Sequence, residues 1–108
     1  MKSTVAEAIK KLGGSNGALF VKLMEHGSMS VEIYRPLEVD RQTPHLRDEL
    51  YVIISGTGDF VNNGKCSAFG PGDVLFAPAR VEHHFENFSN DFATWVIFYG
   101  PEGGEGKS

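Results

Sequence analysis

The sequence predicts an all-β domain, an antiparallel sandwich or barrel carrying one short N-terminal helix, and three observations support this. From Ala18 onward the apolar residues recur with period two rather than at helical spacing. Short turn signals built on Gly, Asn, Asp and Pro divide that region at even intervals, as in sheets of consecutive antiparallel strands. The chain has 108 residues, enough for one core and too few for a second.

The segment 1–17 reads as a helix and linker. Val5, Ala8, Ile9 and Leu12 recur at helical spacing within Ser3 to Leu12, Thr4 with Glu7 makes a capping box, and Gly13-Gly14 stops the helix. A helix this short needs a surface to pack on, because nucleation is costly. The barrel domain is expected over 18–100. Ala18 to Glu25 and Ser28 to Tyr34 are its first two strands, joined at His26-Gly27; in the second, Met29, Val31 and Ile33 face opposite to Ser30, Glu32 and Tyr34. Arg35 to Pro44, with two prolines, is a connection. Glu49 to Ser55, Asp59 to Val61, Lys65 to Phe69, Asp73 to Ala77, Glu82 to Phe88 and Phe92 to Gly100 follow as strands. Between them lie Gly56 to Gly58, Asn62-Asn63-Gly64, Gly70-Pro71-Gly72, Pro78-Ala79-Arg80 and Ser89-Asn90-Asp91. The segment 101–108 has glycines and charges but no apolar anchor, and is expected to be a disordered tail.

Composition narrows the function. Net charge is -4 and the ten Lys and Arg residues are scattered, which argues against a nucleic-acid partner. No stretch approaches the eighteen or so apolar residues of a membrane span. The single cysteine, Cys66, cannot form an internal disulfide, and MKSTVAEAIKKL lacks the apolar run of a secretory signal. A cytoplasmic location is the default expectation.

Strand parity selects the residues that could carry chemistry. If Glu49 faces inward, Tyr51 and Ile53 do too, and Leu50, Val52 and Ile54 face a second sheet or a partner subunit. If His83 faces inward, Phe85 and Asn87 accompany it while His84, Glu86 and Phe88 turn away, so one histidine of the pair enters the pocket. His45 precedes Glu49 by four residues and shares its parity if the chain is extended. Two imidazoles and one carboxylate suit Fe(II), Mn, Co, Ni or Zn and leave positions open. The plainer alternative makes His45 and His83 rim histidines, with Glu49 paired to Arg47 or Arg80. Further inward positions, Trp95, Ile97 and Tyr99 or their out-of-phase neighbours, give a lining suited to a small organic ligand, or simply fill the barrel.

These two stretches resemble the motifs of the cupin superfamily. In the first, Thr43-Pro44-His45, Glu49 and Gly56 fall on the family spacing, with Thr43 in place of its first histidine; in the second, Gly72, Pro78, His83 and Asn87 match, with Arg80 in place of a glycine. The resemblance extends from about Leu19 to Tyr99. It implies a double-stranded β-helix jelly roll binding one divalent transition metal (Fe, Mn, Ni or Zn) through His45, Glu49 and His83. Gln42 is a conceivable substitute for the missing histidine, but of the wrong parity for an extended strand. Arg80 sits at a corner that favours positive φ, where it is either strained or sends its guanidinium to the pocket mouth. The expected function is a metalloenzyme of oxygenase or isomerase type acting on a small molecule, with Tyr51 and Arg80 as candidate catalytic residues; the alternative is a non-catalytic small-molecule-binding or sensor protein with a vestigial or absent metal site. A homodimer is expected from the outward Leu50, Val52 and Ile54.

Overall fold

The computed structural model describes residues 1–105. Helix α1 spans Val5–Gly13, and eight strands follow: β1 Phe20–His26, β2 Met29–Tyr34, β3 Asp48–Ser55, β4 Gly58–Asn62, β5 Lys65–Phe69, β6 Val74–Ala77, β7 His83–Glu86 and β8 Ala93–Tyr99. They form a five-stranded sheet, order β1-β2-β8-β3-β6, and a three-stranded sheet, order β5-β4-β7. All pairings are antiparallel, and the architecture is the expected jelly roll.

The helix begins at Val5 rather than Ser3 because Thr4 is its cap: its backbone is extended and its Oγ1 accepts the Glu7 N–H at 3.1 Å. Ala8 and Leu12 pack on Ile33, with Val21, Leu23, Ile54 and Trp95 around them, so the helix covers the outer face of the large sheet. Between the sheets lies the core proper. Tyr51, Ile53, Ala77 and Val96 of the large sheet meet Phe60, Phe69 and Phe85 of the small one, and Phe92 closes the end. Phe85 stands 4.8 Å from both Tyr51 and Phe92 between ring centroids, in tilted and edge-on geometries that suit aromatic quadrupoles. Burying a ring of this size contributes about 1.5–3 kcal/mol.

The expected parity holds on β3, where Glu49, Tyr51 and Ile53 are all buried, is decided on β8 between the two phases left open, and fails after β7. On β8 the out-of-phase set faces in: Thr94 and Val96 are buried, while Trp95 packs against the helix. After β7 the alternation ends, because Asn87 takes a left-handed backbone (φ 54). Asn87 is therefore exposed, and Phe88, expected outside, packs on the core. Gly56 has a specific reason to be glycine: its φ is +88, and a Cβ there would lie 2.6 Å from the Phe92 Cα.

The tail also differs from expectation over 101–105. Pro101 to Gly104 form a turn, Gly103 donates its N–H to the Leu46 carbonyl at 2.6 Å, and Glu105 donates its own to the Asp48 carboxylate at 3.0 Å. The anchor is a buried carboxylate rather than an apolar side chain, which an apolarity argument does not register. The rest of the expected tail, 106–108, lies outside the described residues.

Candidate metal centre

Glu49 reaches the interior because β3 starts at Asp48 and alternates from there; it is 1% exposed. Asp48 is buried as well, and its carboxylate accepts the Ala79 N–H at 2.9 Å and the Glu105 N–H at 3.0 Å. That ties the start of β3 to the corner after β6. The next residue of the corner, Arg80, donates its backbone N–H to the His45 carbonyl at 2.6 Å, so the turn before β3 is held from two sides. His83 opens β7 and is 2% exposed. His84 faces outward beside Glu86 at 3.1 Å, so one histidine of the pair enters the interior, as parity required.

The three residues converge. His83 Nε2 is 2.6 Å and His45 Nε2 3.7 Å from Glu49 Oε1, and one donor atom from each residue can be chosen so that all lie within 4.8 Å of one another. The His83 ring nitrogen Nδ1 lies 2.9 Å from the Val81 carbonyl, which accepts only, so the proton belongs on Nδ1 and neutral His83 presents a bare lone pair at Nε2. That lone pair faces a carboxylate oxygen. Both atoms are buried and neither has a well-aligned hydrogen bond despite the short separation. A cation between them satisfies both, and a second proton on His83 is the substitute when no cation is bound. Burial works against that imidazolium, but Glu49 and the Val81 carbonyl outweigh it, and the His83 pKa lies above its usual value in the metal-free protein. The residues present therefore fit a divalent ion, and the nitrogen and oxygen donors suit a first-row transition metal. Arg47 does not pair with Glu49: it binds the Ser28 carbonyl and lies over the Phe98 ring.

Two residues that parity dismissed or overlooked complete the surroundings. Residues 41–47 are not a strand, so the parity objection to Gln42 does not apply. Its side-chain Oε1 lies 3.2 Å from His45 Nε2 and accepts the Tyr51 hydroxyl at 3.0 Å. Its Nε2 donates to Asp40 Oδ2 at 2.6 Å. Asp40, 8% exposed, also accepts the Gln42 N–H, the Phe85 N–H and the Tyr34 hydroxyl. The sequence signal was Asp40-Arg41-Gln42, an Asx-turn pattern in which an aspartate bonds the backbone two residues on.

A cavity of about 800 Å³ opens onto this cluster. His45, Glu49, Gln42 and Tyr51 line it with Glu32, Tyr34, Val96 and Phe98, and the partly exposed Phe20, Leu37 and Val39 stand around them. His83 lies on a second hollow of about 480 Å³, and Gln42 belongs to both. Burial, followed by the nearby Asp40 and Glu49 carboxylates, raises the Tyr34 and Tyr51 hydroxyl pKa values well above their usual range, so both remain donors at working pH. Phe85 lies in the packed core and not in this cavity. Thr43 lines the cavity at an exposed position.

Arg80 is corrected. Its φ of 64 is the strained left-handed conformation that the corner demands, but its side chain is exposed and is not among the cavity residues. What it gives the site is the backbone N–H on His45.

The description "Cupin domain" belongs to the family profile that matches residues 30–99. Over 104 residues the chain is 28% identical to an uncharacterized protein of Streptomyces coelicolor, SCO3923, covering 94% of this chain and 99% of that one. Among solved structures it is similar to one described as DMSP lyases RdDddP and RnDddQII, at 26% identity and a TM-score of 0.65. That match covers 77% of this chain, which spans about half (47%) of the lyase chain. A cupin superfamily protein of Desulfitobacterium hafniense shares the fold at 19% identity and a TM-score of 0.60, with 75% of each chain covered.

Proposed function

We propose that this chain, which belongs to the cupin family, is a metalloenzyme of oxygenase or isomerase type that takes a small organic molecule into its barrel cavity. The substrate's polar end meets one divalent ion, Fe, Mn, Ni or Zn, held by His45, Glu49 and His83. The observation that carries this is the pair of orphaned buried atoms, Glu49 Oε1 and His83 Nε2, facing each other beside the His45 ring. When bound, the ion supplies Lewis acidity and a template for the substrate. The chain supplies the rest. Tyr51 Oη, whose proton goes to Gln42, accepts a hydrogen bond from a substrate hydroxyl or amine near His45, and the apolar walls at Val96, Phe98, Leu37 and Val39 displace water from the carbon skeleton. The similarity to a lyase structure supports an enzymatic reading.

A second reading, a non-catalytic ligand-binding module, is favoured by one observation: Thr43 stands where the family pattern has a histidine and is exposed. Elemental analysis of protein purified without chelator, beside His83→Ala, separates the two. Near-stoichiometric metal that disappears in the variant supports the enzyme; protein that holds none and refuses added metal supports the module.

The homodimer expected from the outward apolar residues is also part of this reading. Leu50 and Val52 pair in register with Phe76 and Val74, of which Val74 is 62% and Phe76 43% exposed, giving an apolar stripe on the outer face of the large sheet. Ile54, the third of the outward set, is taken by the helix. A monomer at every concentration in sedimentation would remove the dimer. A cytoplasmic setting is part of the same reading, supported by the lone free thiol, Cys66. No helix among the described residues is long and apolar enough to cross a membrane.

A further inference from the structure

We infer that the side-chain carbonyl oxygen of Gln42 is a fourth ligand of the metal, taking the place left open by Thr43. This rests on the reading above, that His45, Glu49 and His83 hold an ion, and adds to it a residue outside that set.

The two ends of a side-chain amide are distinguished by their partners. Asp40 is a carboxylate that already accepts from the Phe85 and Gln42 backbone N–H groups, so the group 2.6 Å from its Oδ2 must be the amide NH2. The carbonyl oxygen is thereby turned toward the site. It lies 3.2 Å from His45 Nε2, close to the ~3 Å that separates adjacent ligand atoms on an octahedral ion with bonds of ~2.1 Å. A carbonyl has two lone pairs; Tyr51 occupies one at 3.0 Å and leaves the other for the ion. Gln42 also lines both the cavity that holds His45 and Glu49 and the hollow that holds His83. Asp40 is a positioning residue that acts through Gln42. Two imidazoles, one carboxylate and one neutral oxygen favour Mn(II), Fe(II), Co(II) or Zn(II) over a thiophilic ion, and on a six-coordinate metal they leave two positions for substrate and solvent.

The test uses the full chain stripped of metal, with Mn(II) affinity measured by chelator competition and coordination read from the Co(II) visible spectrum. Gln42→Leu should weaken Mn(II) binding about 10-fold or more and alter the Co(II) spectrum. Thr43→Ala should change neither, and Tyr51→Phe should leave the spectrum as in the wild type. Should the leucine variant fail to fold, Gln42→Asn keeps the amide but draws the carbonyl back by one methylene, and should show the same loss. Wild-type affinity and spectrum in a folded Gln42 variant would overturn the inference while leaving the three-residue site standing. So would a Tyr51→Phe protein that reproduces the Gln42 effect, because Gln42 would then act through the hydroxyl. A wild-type chain that binds no metal, or a His83→Ala chain that binds as tightly as the wild type, would instead remove the reading beneath it.

Discussion

The barrel interior has two ends with opposite results, and strand β7 contributes to both through Phe85 and His83. At one end Phe60, Phe69, Phe85 and Phe92 pack into a closed aromatic layer whose atoms are satisfied by contact alone. At the other, Glu49, His83, His45, Gln42 and Asp40 crowd together, and two buried atoms remain without an aligned partner. Tyr51 sits at the junction, its ring 4.8 Å from Phe85 and its hydroxyl on Gln42. One end contributes stability. The other holds an electrostatic deficit that a bound ion can relieve.

That contrast can be broken most forcefully at the aromatic end. Phe85→Ala should destabilise the protein by about 3–5 kcal/mol, read as a lower denaturation midpoint in urea, because the ring is 1% exposed and closely surrounded. A loss below about 1 kcal/mol would mean that the layer is not what holds the barrel. At the polar end His83→Ala should abolish metal binding in a dialysis assay while His84→Ala leaves it nearly intact; equal losses would refute the inward placement of His83 alone.

A smaller effect concerns pH. The His83 pKa is raised in the metal-free protein, so its imidazolium pairing with Glu49 contributes stability that is fully present below the ordinary histidine value of about 6.5 and lost as pH rises through the raised value. Metal binding needs the neutral ring and runs the other way. Between about pH 6 and 8 the pair's contribution to the metal-free melting temperature should fall, and the increment given by added metal should grow. Parallel trends in the two would contradict the pairing. The smallest change is Arg80→Gly. Relief of a left-handed backbone at a non-glycine residue should stabilise the protein by about 1 kcal/mol or less, with metal affinity unchanged, as thermal melting and titration would show. A fall in affinity would restore a role for the guanidinium.

The fold was largely legible, because alternation and turn residues are local signals: the hairpin at Asn62-Asn63-Gly64 and strand β5 lie where the spacing put them. Glu49 and His83 were legible for the same reason, since each sits on a strand whose parity fixes its face. Gln42 and Asp40 were not. They belong to a loop, where side-chain direction depends on hydrogen bonds to residues far along the chain, such as Asp40 to the Phe85 N–H. Arg80 was half legible: the need for positive φ follows from the corner, whereas the path of its side chain depends on tertiary surroundings that spacing does not encode. The phase of β8 was left open because its apolar residues run without alternation from Trp95 to Tyr99, and packing on both faces explains why: Trp95 meets the helix and Val96 the core.

Strand β8 lies between β2 and β3 in the large sheet. During synthesis it emerges after every candidate metal-site residue, so for that interval Glu49 stands on a sheet whose centre is missing, with His83 on the smaller sheet and His45 in the loop before β3. A chain interrupted before Ala93 would expose unpaired edges on both β2 and β3, each a template for strands of another copy. Correct folding of the chain therefore depends on the eighth strand reaching its slot faster than a strand of a neighbouring chain does.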